Sequence, residues 1–277
     1  MEINRLNKLL SCCLINLQKG KAASLELNYR PYDIALITEP YLTKGLIRIL
    51  NRKDSKTIYK KGGNARACIR TGPNVQAWAV PQFINDDLST ICIKIKNKPT
   101  YIAVAYMDIL QDVASCGISG LFEYCNANRI PLVMGMDSNA HNPLWGSEDT
   151  NTRGELLEDM FDNHGITVLN TGSTPTFETI RAKSVIDITV MNDAAYDWLE
   201  VTNWRVDRRL SFSDHKYIEF NMMGYELEQP LIRNLNKCDW EMFRVLSEQT
   251  PDIPNTMDQA DLDEAAEVLH KLILKVF

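Results

Sequence analysis

No apolar run in the 277-residue sequence approaches the roughly 20 residues that span a bilayer, so nothing reads as a transmembrane helix. The start, Met1 to Lys8, is polar, and Leu9–Leu10 and Cys12–Leu14 are too short for the apolar core of a signal peptide. Cys-x-x-Cys pairs are missing. The seven cysteines stand scattered at 12, 13, 68, 92, 116, 125 and 238, which argues against a zinc site and for buried thiols in a reducing compartment, cytosol or nucleus. No period of about 20–50 residues repeats, which excludes a solenoid. Nor is there an excess of positive charge: 30 Lys and Arg face 36 Asp and Glu, a net −6. That balance argues mildly against nucleic acid as partner, yet a basic groove can coexist with an acidic remainder. Carboxylates that hold a metal also add negative charge without repelling a metal-bridged phosphate.

What is present is ordinary for a globular protein, 45 % hydrophobic and 24 % charged residues. The length suits one large domain or two small ones, with core enough to need no staples. Apolar runs predict strands over Ser11–Leu17, Tyr32–Thr38, Ala65–Arg70, Ala77–Pro81, Thr90–Lys96, Tyr101–Tyr106, Leu132–Met136, Ser184–Met191 and Lys216–Asn221. Helical spacing predicts helices over Lys21–Tyr29, Ser115–Asn126 and Arg153–Asn163, which would cover a sheet. A boundary near 226, marked by Pro230 and the asparagines at 234 and 236, divides the chain into 1–225 and a segment 226–277 with helix candidates Trp240–Ser247 and Leu262–Val276.

Polar residues gather where these strands stop: Asn16 and Gln18, Glu39, Tyr106, Asp137 and Asn139, and Ser213-Asp214-His215 before the last strand. Ligand sites of open α/β sheets sit at such ends. Asp187 is the sharpest case. It lies inside the apolar run Ser-Val-Ile-Asp-Ile-Thr, where an unpaired carboxylate costs several kcal/mol, so one of the four histidines is its natural partner. Hard oxygen ligands without His or Cys clusters suit Mg²⁺ or Mn²⁺. A metal, a carboxylate able to take a proton from water and a histidine facing a phosphate make a phosphodiesterase.

The ordered set Asn16-Leu17-Gln18, Glu39-Pro40-Tyr41, Gly135 to His141, Pro175-Thr176-Phe177, Val185 to Thr189 and Ser213-Asp214-His215 resembles the endonuclease domain of non-LTR (LINE-type) retrotransposons. These belong with exonuclease III, the apurinic endonucleases and DNase I. Asn142 to Ser147 and Asn203 to Val206 look like the insect telomere- and ribosomal-DNA-targeting branches, and the segment 233–240 resembles the linker into their reverse transcriptase. The resemblance covers residues 10–222. It implies a four-layer α/β sandwich of the DNase I type, two mostly antiparallel sheets face to face with helices outside. It implies an Mg²⁺-dependent endonuclease, with Mn²⁺ substituting, that nicks one strand of double-stranded DNA in the nucleus and leaves a 3′-hydroxyl to prime reverse transcription. Element RNA and a reverse transcriptase region would be partners, and no membrane.

Residue by residue, the resemblance makes Glu39 the principal metal ligand, supported by Asn16, which also contacts phosphate. Asp214 becomes a metal-side carboxylate. Asp137 would orient or deprotonate the attacking water, Asn139 hold that water and the phosphate, and Tyr106 contact the scissile phosphate. His215, oriented by Asp187, would bond the phosphoryl oxygen. Thr176 would line the DNA groove and Ser213 support its loop on the DNA side. Arg205, Arg208 and Arg209 read as a solvated loop, but in the resembled family that region is a hairpin entering the minor groove. Repair relatives carry an acid at Gln18 and an asparagine at Ile109, so one metal contact here is neutral and one phosphate donor is missing. The same core also fits a phosphoinositide or nucleotide phosphatase. A silent DNA-binding scaffold would show a lost core residue, and Glu39, Asp137, Asn139, Asp187 and His215 are all present. Outside this set, His141 reads as a loop support, His164 as a helix C-cap, His270 as packing, and Trp145 and Trp198 as anchors. Lys60-Lys61-Gly62-Gly63 reads as a basic hairpin tip rather than a phosphate loop.

Overall fold

The computed structural model describes residues 7–50, 55–226 and 240–248. The linker over 227–239, the helix predicted over Leu262–Val276 with His270, and Cys238 lie outside them. The chain divides into two compact units, Met1–Leu227 and Glu228–Phe277. In the second, the predicted helix over Trp240–Ser247 is present as Trp240–Glu248.

The first unit holds two six-stranded sheets. One is built from β1 (Asn7–Asn16), β2 (Ile34–Thr38), β3 (Lys56–Ile58), β4 (Ala67–Thr71), β13 (Val201–Val206) and β14 (Ile218–Glu226), in the order β13-β14-β1-β2-β4-β3. The other contains β5 (Trp78–Ala79), β6 (Leu88–Ile95), β7 (Lys98–Tyr106), β8 (Leu132–Asp137), β9 (Ile166–Val168) and β12 (Asp187–Asn192), in the order β5-β6-β7-β8-β12-β9. A separate two-stranded hairpin pairs β10 (Phe177–Glu178) with β11 (Lys183–Ser184). Among the described residues, β1–β2 and β7–β8 are the parallel pairs.

Alternating side chains explain the layers, since β residues at i and i+2 share a face. Leu10, Cys12, Leu14, Leu36 and Ile69 of one sheet and Ile91, Ile93, Val104 and Val133 of the other form a single buried cluster. Residues of the opposite phase, Cys13, Ile15, Ala35 and Ile37, pack with Ala23 and Leu27 of α1 (Lys21–Tyr29). The outer face of the second sheet packs with Leu121, Phe122 and Cys125 of α2 (Ile118–Ala127) and Leu157 and Phe161 of α3 (Thr152–His164). Helix, sheet, sheet, helix is the expected four-layer order. Gly135 of β8 marks a close approach between the sheets: a Cβ there would lie 2.9 Å from Leu14 and 3.0 Å from Leu36. Two residues on and on the same face stands Asp137, so this close approach brings a β8 carboxylate within reach of the end of β1.

The short hairpin strands β10 and β11 were not legible as such, nor were three strands of the two sheets. β3 and β9 have three residues each. β13 is an edge strand, half exposed and with a register shift between Thr202 and Arg205.

Candidate active site

Register sets the first row of the site. Asp137 ends β8, with Tyr106 beside it on β7 and Asp187 opposite it on β12. From the other sheet, the Asn16 amide donates to Asp137 Oδ2 (2.7 Å) and to Glu39 Oε2 (3.2 Å). Glu39 follows β2 with φ +45°, its N–H held by the Arg66 carbonyl. His215 sits just before β14 and its Nδ1 lies 2.8 Å from Asp187 Oδ2. The histidine partner that the buried Asp187 required is therefore His215.

Asn16, Asp137, Asp187 and His215 are all buried, and two carboxylates stand directly across a strand pair. Like charges so placed repel. Burial, then the Asp187 charge, push the Asp137 carboxyl up to about 7 against the opposing pull of His215 and Asn16. Burial alone would lower the His215 pKa, but the adjacent Asp187, with Asp137 and Glu39, outweighs it and raises it to about 9. Burial and the nearby acids Glu39, Asp137 and Asp108 raise Tyr106 to about 12, so its hydroxyl stays a donor.

The surrounding loops fix these groups. The Ser213 hydroxyl donates to the Asn16 carbonyl (2.8 Å) and accepts the His215 N–H (3.2 Å), tying the loop to β1. Asn139, at φ +48°, donates its amide to the Met107 carbonyl (3.0 Å). Asparagine tolerates this left-handed backbone better than most residues. Gln18 donates to Asp214 Oδ2 (2.6 Å). The neutral residue in place of an acid is thus matched to a carboxylate that an acid would repel.

Three expectations are corrected. Thr176 does not line a groove: it is fully buried, and its hydroxyl accepts the N–H groups of Ile186 and Asp187 (both 3.1 Å), fixing the start of β12. Arg205 is not in a loop, and Arg209, in the loop after β13, is committed to ion pairs, though both side chains are exposed. Arg205 lies in β13 and bonds Glu219 (2.5 Å), and Arg209 bonds Asp207 (2.8 Å) and Glu219 (3.0 Å). Of the three arginines, Arg208 alone is exposed with no ion pair among the described residues. The hairpin beside the site is β10–β11 instead. Its Phe177 ring lies 5.0 Å from the His215 ring, and Ile180 in its turn is wholly exposed. His141 pairs with Asp149 (2.9 Å), His164 closes α3 through the Met160 carbonyl (2.8 Å), and Trp145 is buried, as loop, cap and anchor readings require.

Sequence reading missed Arg66. Its guanidinium lies 4.9 Å above the Tyr106 ring while bonding Asp87 (2.5 Å) and Asp108. An arginine immediately before a strand carries no signal of its own.

Ligand atoms of Asp137, Asp187 and His215 lie within 4.8 Å of one another, and this acidic cluster can hold a metal ion. Asp187 Oδ1 is buried without a hydrogen-bond partner, an orphan that a cation or a protonated neighbour would satisfy. With Glu39 and Asn16 adjoining, the donors are mostly oxygen, which fits a hard divalent cation.

The family model described as endonuclease-reverse transcriptase matches residues 82–219. A Drosophila melanogaster protein, the putative 115 kDa protein of the type-1 retrotransposable element R1DM, is 25 % identical over 94 % of this chain. Among solved structures, the endonuclease domain of TRAS1, a telomere-specific non-LTR retrotransposon, superposes with a TM-score of 0.67 at 25 % identity, over 78 % of this chain and 98 % of that one. By sequence and by structure the chain is similar to the non-LTR retrotransposon endonucleases. It spans about a quarter of the R1DM protein, 27 %. The AP endonuclease LMAP of Leishmania major shares the fold at 10 % identity (TM-score 0.59, 78 % of this chain and 88 % of that one). The whole cluster lies at one end of the sandwich, where β1, β2, β7 and β8 stop.

Proposed function

We propose that this domain nicks one strand of duplex DNA by metal-assisted hydrolysis, leaving a 3′-hydroxyl that primes reverse transcription by the element. The observation that carries the reading is the buried Asp187–His215 pair set against Asp137 and the Asn16–Glu39 contact. A histidine with its pKa raised to about 9 keeps both ring nitrogens protonated near neutral pH. With Nδ1 committed to Asp187, Nε2 donates to a phosphoryl oxygen as negative charge grows there. Asp137, pushed to about 7, is poised to take a proton from the attacking water. Tyr106 donates to the same phosphate, and Asn139 holds the water in line. Glu39, Asn16 and Asp214 would hold the cation, for which Mg²⁺ suits the oxygen donors and Mn²⁺ substitutes. When bound, it neutralises phosphoryl charge and stabilises the leaving oxygen.

For DNA contact, the reading moves from Arg205 and Arg209 to Arg208 and the turn of β10–β11, where exposed Ile180 and Arg181 stand. We take residues 1–225 as the nuclease and 226–277 as a lead into a reverse transcriptase region. The nucleus is the compartment inferred, where target DNA lies and where unpaired thiols suit a reducing milieu. The test is supercoiled plasmid incubated with the protein and Mg²⁺ or EDTA. Open circles formed with Mg²⁺ and absent in EDTA are expected; equal product in both would overturn metal assistance.

A further inference from the structure

We propose that Arg153 is a positioning residue for this reaction, a brace that holds the loop after β8 and the loop after Tyr106 in one fixed relation. The kinetic part of this inference rests on the endonuclease reading; the contacts do not. Arg153 is the second residue of α3. Its Nε donates to the Ser138 carbonyl (2.8 Å) and its Nη1 to the Gln111 carbonyl (2.7 Å). Ser138 stands between Asp137 and Asn139, and Gln111 five residues beyond Tyr106. One planar guanidinium thus spans the two segments that carry the water-activating and phosphate-contacting groups. The fork is rigid, whereas a lysine ammonium is a single point on a flexible stem.

Folding stability alone does not explain this arginine. Arg66, whose guanidinium lies over the Tyr106 ring, bonds two carboxylates. Arg153 bonds only backbone carbonyls, and its Nη2 is buried with no hydrogen-bond partner. A cation left so is a cost to the fold, tolerated where something else needs it.

The helix start is fitted to the same backbone. The Asn151 side chain accepts the N–H of Gly154 (2.8 Å), capping α3, and also the N–H of His141 (3.1 Å). The Asn151 N–H returns a bond to the His141 carbonyl (3.1 Å). A Cβ on Gly154 would lie 1.9 Å from that carbonyl oxygen, so only glycine lets the first turn of α3 press there. Asn139 makes the second tie, from its side chain to the Met107 carbonyl. The loops are therefore joined twice, once by the residue that meets the water and once from behind by Arg153.

The test compares Arg153→Ala and Arg153→Lys with the wild type in the full chain, by steady-state nicking of duplex DNA with Mg²⁺ and by amide hydrogen exchange. Arg153→Ala should lower kcat by about 10²-fold, the scale for a misplaced catalytic group, with KM for DNA nearly unchanged. Methylguanidinium should restore part of that kcat and do nothing for the wild type. Exchange should rise in residues 107–112 and 138–142 and stay unchanged in the sheets. If Arg153→Ala does not fold, Arg153→Lys keeps the stem and the charge and should show a smaller kcat loss at unchanged KM. A loss carried by KM would make Arg153 a DNA contact and overturn the brace, as would wild-type exchange in both loops or full activity in Arg153→Lys. Absence of cleavage by the wild type would sink the endonuclease reading instead, and the exchange data would still decide the brace.

Discussion

Two polar clusters built on buried acids meet strands β1 and β14, one within their own sheet and one between it and β8 and β12 of the other sheet, and they treat charge in opposite ways. In one, Arg30, Arg205 and Arg209 surround Asp207 and Glu219, with Arg30 2.6 Å from Asp207 and the Tyr32 hydroxyl 2.5 Å from Glu219. Every acid there has a cation. In the other, Asp137 faces Asp187 across a strand pair, an asparagine and one histidine are the near partners, and Asp187 Oδ1 has none. The first arrangement is a structural fastening between α1, β13 and β14. The second holds charge that the fold has not neutralised, which is where a cation and a phosphate find partners. The difference locates function without reference to any motif.

The comparison breaks first if the fastening proves dispensable. Asp207→Ala should cost about 3–5 kcal/mol, because the enclosed Arg30 keeps its charge while losing its 2.6 Å partner. Urea denaturation measures it, and a wild-type midpoint would show the cluster to be ornamental. Next comes the catalytic cluster. Asp137→Asn and His215→Ala should each slow nicking by about 10²-fold or more, roughly 2.7 kcal/mol in barrier. Asp137→Asn should melt no lower than the wild type in EDTA, since it removes a buried like charge. A variant cutting at the wild-type rate would strip that residue of its role.

The sequence made some of this legible and not the rest, for definable reasons. Asp187 announced itself because a carboxylate inside an apolar strand demands a partner, and the partner is His215. The sandwich followed from short apolar runs alternating with helical spacing, with α1 predicted over the residues it occupies. Arg205 was misread because a charged edge strand with a bulge resembles a loop, and for Arg205 and Arg209 alike no local pattern reveals Glu219 across the sheet. Thr176 was misplaced because a hydroxyl serves equally at a groove or beneath a strand start, and only packing decides. Arg66 and Arg153 were invisible because their partners are backbone atoms and acids brought near by the fold.

A smaller effect sharpens the contrast. At a Mg²⁺ concentration ten times its dissociation constant, the wild type should gain about 1.4 kcal/mol of stability. Glu39→Gln should gain less, and Asp207→Ala, though less stable, should gain as much as the wild type. Thermal melts with and without the cation settle it, and equal shifts in wild type and Glu39→Gln would remove Glu39 from the metal site.

The last and smallest effect is a slope against pH, and the two clusters should tilt it in opposite directions. Burial alone would raise the Asp207 pKa, but hydrogen bonds from Arg30 and from the N–H and side chain of Arg209 hold it below the usual carboxylate range. Its contribution is therefore present above the unfolded value near 4 and lost as pH falls through the lower folded one. Asp137 runs the other way. Its folded value of about 7 lies above the unfolded one, so its contribution is complete below about 4 and lost as pH rises through 7. Each proton can tilt stability by no more than about 1.4 kcal/mol per pH unit. Urea midpoints followed from pH 3 to 8 in EDTA should thus fall less steeply on the acid side in Asp207→Asn and less steeply between about 4 and 7 in Asp137→Asn. If both variants flattened the same limb, the two clusters would not be distinguished by how they hold charge, and the reason for placing the chemistry at Asp137 would fail with it.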